Sequence, residues 1–112
     1  MRKTSDLINE MLDESKGAWV VAIAVGFENE TKFVFSSEPR PLNALNNLIK
    51  NGGYPIGLIR FDKEGEGLQG SYRPFEEYAD DPWAKEYLAG LLKNAGEIVA
   101  LSRRDQTFPT AS

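Results

Sequence analysis

The sequence predicts an α+β domain with a mostly antiparallel sheet. Three observations lead there. Amphipathic stretches with helical spacing alternate with short β-branched and aromatic runs. Glycine and proline fall at the joints between them. A half-hidden repeat joins the two halves of the chain: Leu45–Asp62 laid on Leu88–Asp105 matches at 8 of 18 positions. The matches are Leu45/Leu88, Leu48/Leu91, Lys50/Lys93, Asn51/Asn94, Gly53/Gly96, Leu58/Leu101, Arg60/Arg103 and Asp62/Asp105.

Thr4 to Lys16 reads as the first helix. Leu7, Ile8, Met11 and Leu12 form one narrow apolar stripe, Thr4 or Ser5 serves as N-cap, and Gly17 stops it. Ala18 to Phe27 is apolar almost without interruption, which predicts a central strand covered on both faces. Glu28-Asn29-Glu30 turns the chain, and Thr31 to Ser37 returns as a strand. Phe33 and Phe35 lie on one face of it, Lys32 and Val34 on the other.

Pro41 suits the first position of a second helix, whose stripe is Leu42, Leu45, Leu48 and Ile49 and whose stop is Gly52-Gly53. Tyr54 to Asp62 is then a strand. A turn around Gly65 leads to Leu68–Arg73, where Leu68, Gly70 and Tyr72 face one way and Gln69, Ser71 and Arg73 the other. Asp81-Pro82 starts a third helix with Asp as cap, and Trp83, Tyr87, Leu88, Leu91, Leu92 and Ala95 form its apolar face. Gly96 is expected to end it, and Ile98–Ser102 to be the last strand.

Without the first helix and first strand, the order is β-α-β-β-α-β, the split-βαβ pattern of ferredoxin-like folds. In that arrangement both repeat helices share one sheet face, and the first helix or a second subunit covers the other. The chain is expected to be one domain over 1–112: an N-terminal helix to 17, an α+β core over 18–102 and a polar tail over 103–112. The aromatic residues Trp19, Phe33 and Phe35 are expected in the core. Such a topology hosts many functions and selects none.

The chain has neither Cys nor His. Thiolate nucleophiles, Cys-ligated zinc and the Ser-His-Asp arrangement cannot be built, which disfavours an enzyme, although Asp, Glu, Lys, Tyr or a cofactor could still serve one. No metal or cofactor is expected. The formal charge of −4 disfavours nucleic acid. No apolar run approaches the length of a membrane span, and a cytoplasmic location is expected. Acid is concentrated between Asp62 and Glu86, with eight acidic residues against three basic ones.

Several motifs resolve into ordinary structure. Gly65–Gly70 spells G-x-G-x-x-G, but a strand follows where phosphate binding needs a helix N-terminus. Asp62, Glu64 and Glu66 begin like a calcium loop, yet the twelfth position is Arg73 instead of a bidentate Glu. Glu30-Thr31-Lys32 is read as a turn charge pair. Glu76-Glu77 and Asp80-Asp81 lie in a polar connector and lack the burial that would set two carboxyl pKa values apart.

The most distinctive stretch is Tyr72 to Trp83, which sets four aromatics among charges. Aromatics together with Arg are what interface centres favour. Tyr72, Arg73, Phe75, Glu76, Glu77, Tyr78, Asp80 and Trp83 are therefore the candidate partner-binding residues. The leading expectation is a non-catalytic binding module of the regulatory, inhibitor or immunity kind, meeting a basic protein partner or associating with itself as a homodimer. The alternative is a small-ligand sensor, or an enzyme needing no His or Cys, with its site at the open sheet face or the dimer seam.

Overall fold

The strand β1 (Val20–Gly26) organises the molecule because it is buried on both faces. Val21, Ile23 and Val25 point into one apolar layer, Ala22 and Ala24 into the other. The computed structural model describes the backbone of residues 2–107 and the side chains of residues 2–103. Beside β1 lie β2 (Thr31–Phe35), β3 (Tyr54–Glu64) and β4 (Gly67–Pro74), in the order β2-β1-β3-β4. All three pairings are antiparallel.

Helices cover both faces. On the first, α1 (Thr4–Glu14) and α2 (Pro41–Lys50) bring Leu7, Ile8, Met11 and Leu45 onto Val21, Ile23, Val25, Val34 and Leu58. On the second, α3 (Pro82–Leu91) and α4 (Ala95–Thr107) bring Ala84, Leu88, Ile98 and Val99 onto Phe35, Ile56, Ile59 and Phe61. Among the described residues no helix is long and apolar enough to cross a membrane.

The α+β class and the antiparallel sheet are as expected, but the ferredoxin-like order is not formed among the described residues. Ile98–Ser102, expected as the last strand, lies inside α4. Ala95, Ile98, Val99 and Ser102 turn one helical face inward, and the buried Ser102 hydroxyl donates to the Val99 carbonyl at 2.7 Å. The first part of the expected tail, residues 103–107, continues that helix, while 108–112 lie outside the described residues. The repeat helices also do not share a face: α2 lies on one side of the sheet and α3 on the other.

The repeat therefore has two outcomes, and its glycines decide them. Gly52 takes a φ of +99°, which ends α2 and lets Tyr54-Pro55 open a strand. Its counterpart Ala95 has no such freedom and starts α4. The aligned pair Gly53 and Gly96 should accordingly respond with opposite signs. A Cβ on Gly53 would come within 2.6 Å of Val25 and Phe27, whereas Gly96 has nothing within 4 Å. Gly96→Ala is expected to stabilise the chain by roughly 0.5–1 kcal/mol and Gly53→Ala to destabilise it by about 1–3 kcal/mol, read as shifts in the urea midpoint.

Three smaller expectations also find their outcome. The turn between β3 and β4 has a φ of +61° at Gly65 and no positive φ at Glu66, as in a type II′ hairpin. The glycine-rich motif is thus a strand connection. Trp19, expected in the core, is 38% exposed and carries cations on its ring. The first helix begins at Thr4 with Lys3 as its cap, its N–H bonded to Asp6.

Candidate functional site

One end of the sheet gathers four aromatic side chains. There β1 and β4 finish while β2 and β3 begin. The helix start at Asp81-Pro82 sets the geometry: the Asp81 carboxylate accepts from the Trp83 N–H at 2.9 Å. Trp83 and Tyr87, one helical turn apart, then lie side by side with ring centroids 5.3 Å apart and planes at 20°. Trp83 is 46% exposed, the most open of the large apolar side chains among the described residues. The Tyr87 hydroxyl is hydrogen-bonded to that of Thr31, tying α3 to the start of β2.

Tyr54 lies across Gly26, where a Cβ would come within 3.1 Å of its ring. Tyr78, on a one-turn 3₁₀ helix over Glu76–Tyr78, lines a cavity of ≈ 160 Å³ together with Tyr54, Pro55, Leu7 and Ile49. Burial pushes the phenol pKa values of Tyr78 and Tyr87 up, and Tyr54 adds to both. These hydroxyls therefore stay protonated at neutral pH and can donate. Glu76 and Asp80 face solvent beside this end.

A second arrangement runs along the α1 side. Carboxylates and guanidiniums alternate as Glu77, Arg2, Glu10, Arg73, Glu14, Arg60 and Asp62. Arg2 bonds Glu77 at 3.0 Å and Glu10 at 2.7 Å. Arg73 joins Glu10 to Glu14, the latter at 3.4 Å. Arg60 joins Glu14 at 3.2 Å to Asp62 at 3.0 Å. Glu10 and Glu14 occupy neighbouring turns of α1, so one helix face fastens β3, β4 and the 3₁₀ turn. The hydrogen bond from Arg2 holds the Glu77 carboxyl at a pKa of about 2.

The expected binding residues are thus divided. Tyr78, Trp83, Glu76 and Asp80 lie on or beside the aromatic end. Arg73 and Glu77 are engaged in the chain of ion pairs. Tyr72 and Arg73 point to opposite faces of β4, as strand alternation requires. Tyr72 is half-exposed near the outer edge of the sheet. Phe75 is a core residue, 1% exposed, with the Arg2 guanidinium 5.5 Å above its ring. Its N–H bonds the Ile56 carbonyl at 2.9 Å, which extends the β3–β4 ladder and draws the side chain inward.

Sequence reasoning passes over Tyr54, Tyr87 and Thr31 as site residues. The four-residue spacing of Trp83 and Tyr87 is a usable signal, but it reads equally as the core face of α3. Tyr54 is brought to this end by long-range pairing, its Cα opposite that of Gly26.

The largest concavity among those described lies elsewhere. A cleft of ≈ 420 Å³ between the β3–β4 turn and α4 is lined by Trp19, Lys63, Glu66, Leu68, Val99 and Arg103. The Lys63 ammonium lies 4.6 Å and the Arg103 guanidinium 5.0 Å from the Trp19 ring centre. Trp19 thus takes one cation from β3 and another from α4, and Glu66 lies on the rim. No protein-family model matches the chain, and no curated protein or solved structure matches it.

Proposed function

We propose that the chain is a non-catalytic binding module, of the regulatory or inhibitor kind, that receives a basic segment of a protein partner on its acidic aromatic end. The observation that carries this reading is the exposed Trp83 ring, backed by Tyr87, with the Asp81 carboxylate on its own N–H and Asp80 next in the chain. A rigid aromatic face with carboxylates at its margin suits a Lys or Arg side chain, which can stack on the ring and keep its charge paired. The acids speed and select the encounter, and the rings supply the contact area. The Thr31–Tyr87 hydrogen bond and the Asp81 cap hold the platform in place before binding, which lowers the ordering cost.

The test uses a Trp19→Phe background, so that fluorescence reports Trp83 alone. Titration with an arginine- and lysine-rich peptide should shift the emission, and added salt should weaken the effect. Trp83→Ala is expected to reduce affinity, measured by calorimetry, by about tenfold or more, with the melting temperature nearly unchanged. Equal affinity in the alanine variant would remove this surface from consideration.

A further inference from the structure

We propose that β4 is a pairing edge for a second copy of this chain, antiparallel and centred on Gly70. β4 is an outer strand of the sheet, and its free side follows from its register. The Phe75 N–H reaches the Ile56 carbonyl, and Arg73, Ser71 and Gln69 pair with Leu58, Arg60 and Asp62. In an antiparallel ladder the main-chain groups alternate in direction. Those of Phe75, Arg73, Ser71 and Gln69 face β3, and those of Leu68, Gly70 and Tyr72 face outward.

The two outer strands are not alike. β2 has five residues and carries Lys32, a charge of the kind that blunts an edge. β4 has eight residues, and its one charge is Arg73, whose main chain faces β3. Leu68 and Tyr72 are each 38% exposed, so the α3 layer stops short of the outer margin. On the opposite face Gln69 and Ser71 are exposed.

Pairing about Gly70 makes this strand complementary to itself. Leu68 falls opposite Tyr72 of the second copy, and Tyr72 opposite its Leu68, which gives two aromatic–aliphatic cross-strand pairs on one face. Gly70 meets Gly70 at the two-fold axis, where no side chain obstructs. On the other face Gln69 falls opposite Ser71. Arg73 falls opposite Gly67, next to Glu66 of the second copy, so no like charges are opposed. A shift of one residue would break both Leu–Tyr pairs and bring outward main-chain groups out of step. The assembly is an isologous dimer with one continuous eight-stranded sheet.

The chain contains no cysteine, which gives a clean covalent test. In the proposed register Gln69 and Ser71 of the two copies form a non-hydrogen-bonded pair, with Cα atoms about 4.5 Å apart, within disulfide range. Gln69→Cys with Ser71→Cys should give a cross-linked dimer under mild oxidation, reversed by reductant. Gln69→Cys alone should not, since position 69 of one copy lies diagonally across from position 69 of the other, too far for a disulfide. Light scattering of the unaltered protein should show twice the 12.5 kDa chain mass at tens of micromolar. Leu68→Lys, at an exposed position, should return it to the single-chain mass with an unchanged circular dichroism spectrum. A single-chain mass up to millimolar concentration, or equal cross-linking by Gln69→Cys alone, would overturn the proposal.

Discussion

Gly57→Val should be the most damaging glycine substitution in this chain, lowering stability by about 3 kcal/mol or more. Gly57 has an ordinary negative φ, so backbone strain is not the reason. Space is. A Cβ there would lie 2.5 Å from the Arg73 carbonyl oxygen and 2.8 Å from both Pro74 Cα and Leu88 Cδ1. Two of those three atoms belong to the main chain of the paired strand and cannot rotate away. Relief requires β4 to separate from β3 or α3 to lift from the sheet, and either opens the layer that holds Ile59, Phe61 and Leu88. Alanine should already cost about 1–3 kcal/mol, because its single methyl meets the same atoms. The measurement is the urea midpoint of both variants, with amide exchange along β4 as the local readout. An unchanged midpoint in the valine variant would show that β3 and β4 are less closely paired than the structure has them. Loss of β4 protection before that of β1 is the expected order, since β1 is covered on both faces.

Gly57 also shows which parts of the fold were legible. The continuous apolarity of β1, the Asp81-Pro82 start of α3 and the face alternation of β2 and β4 could all be read from local pattern, because each reports its own burial. The fate of Ile98–Ser102 could not be read so simply. Five residues, two of them β-branched (Ile98 and Val99), fit a short strand or a buried helix segment, and periodicity alone does not separate the two. The helical set Ala95, Ile98, Val99 and Ser102 was present in the sequence, but the resemblance to Tyr54–Asp62 argued the other way. That resemblance misled because two glycines, Gly52 and Gly53, do in the first copy what Ala95 and Gly96 do not in the second. The aromatic segment Tyr72–Trp83 reads from the sequence as one partner-binding surface. Being consecutive, its residues pass from an edge strand through a core position to a helix start, and the structure scatters them. Tyr78 and Tyr87 come close to Tyr54 only because β3 begins where β1 and β4 end.

The chain of ion pairs should make the fold acid-sensitive in a defined window. Burial alone would raise the Glu10 pKa, but hydrogen bonds from Arg73 and Arg2 turn the shift downward. The hydrogen bond from Arg2 lowers Glu77 to about 2. Both carboxylates are therefore held below the unfolded Glu value of about 4.3. A group whose folded pKa is depressed adds stability that is present in full above its unfolded pKa and is lost as pH falls through the folded one. The urea midpoint should accordingly be level from neutral pH to about 5, then fall steadily towards pH 2. Glu10→Gln separates this chain from general acid effects. It keeps the shape, removes the central charge, and leaves Arg2 and Arg73 each with one remaining partner, Glu77 and Glu14. At pH 7 it should cost about 2 kcal/mol, because the Glu10 side chain is only 21% exposed and its neutralisation takes one of two carboxylate partners from each guanidinium. The same variant should show a shallower decline in acid, since less is left to protonate. Salt should weaken the outer link at Arg73, whose side chain is 49% exposed, before it weakens the link at Arg2, at 28%. If wild type and Glu10→Gln fall in parallel between pH 5 and pH 2, Glu10 does not couple α1 to β4 and the 3₁₀ turn, and the acid response must come from carboxylates outside this chain.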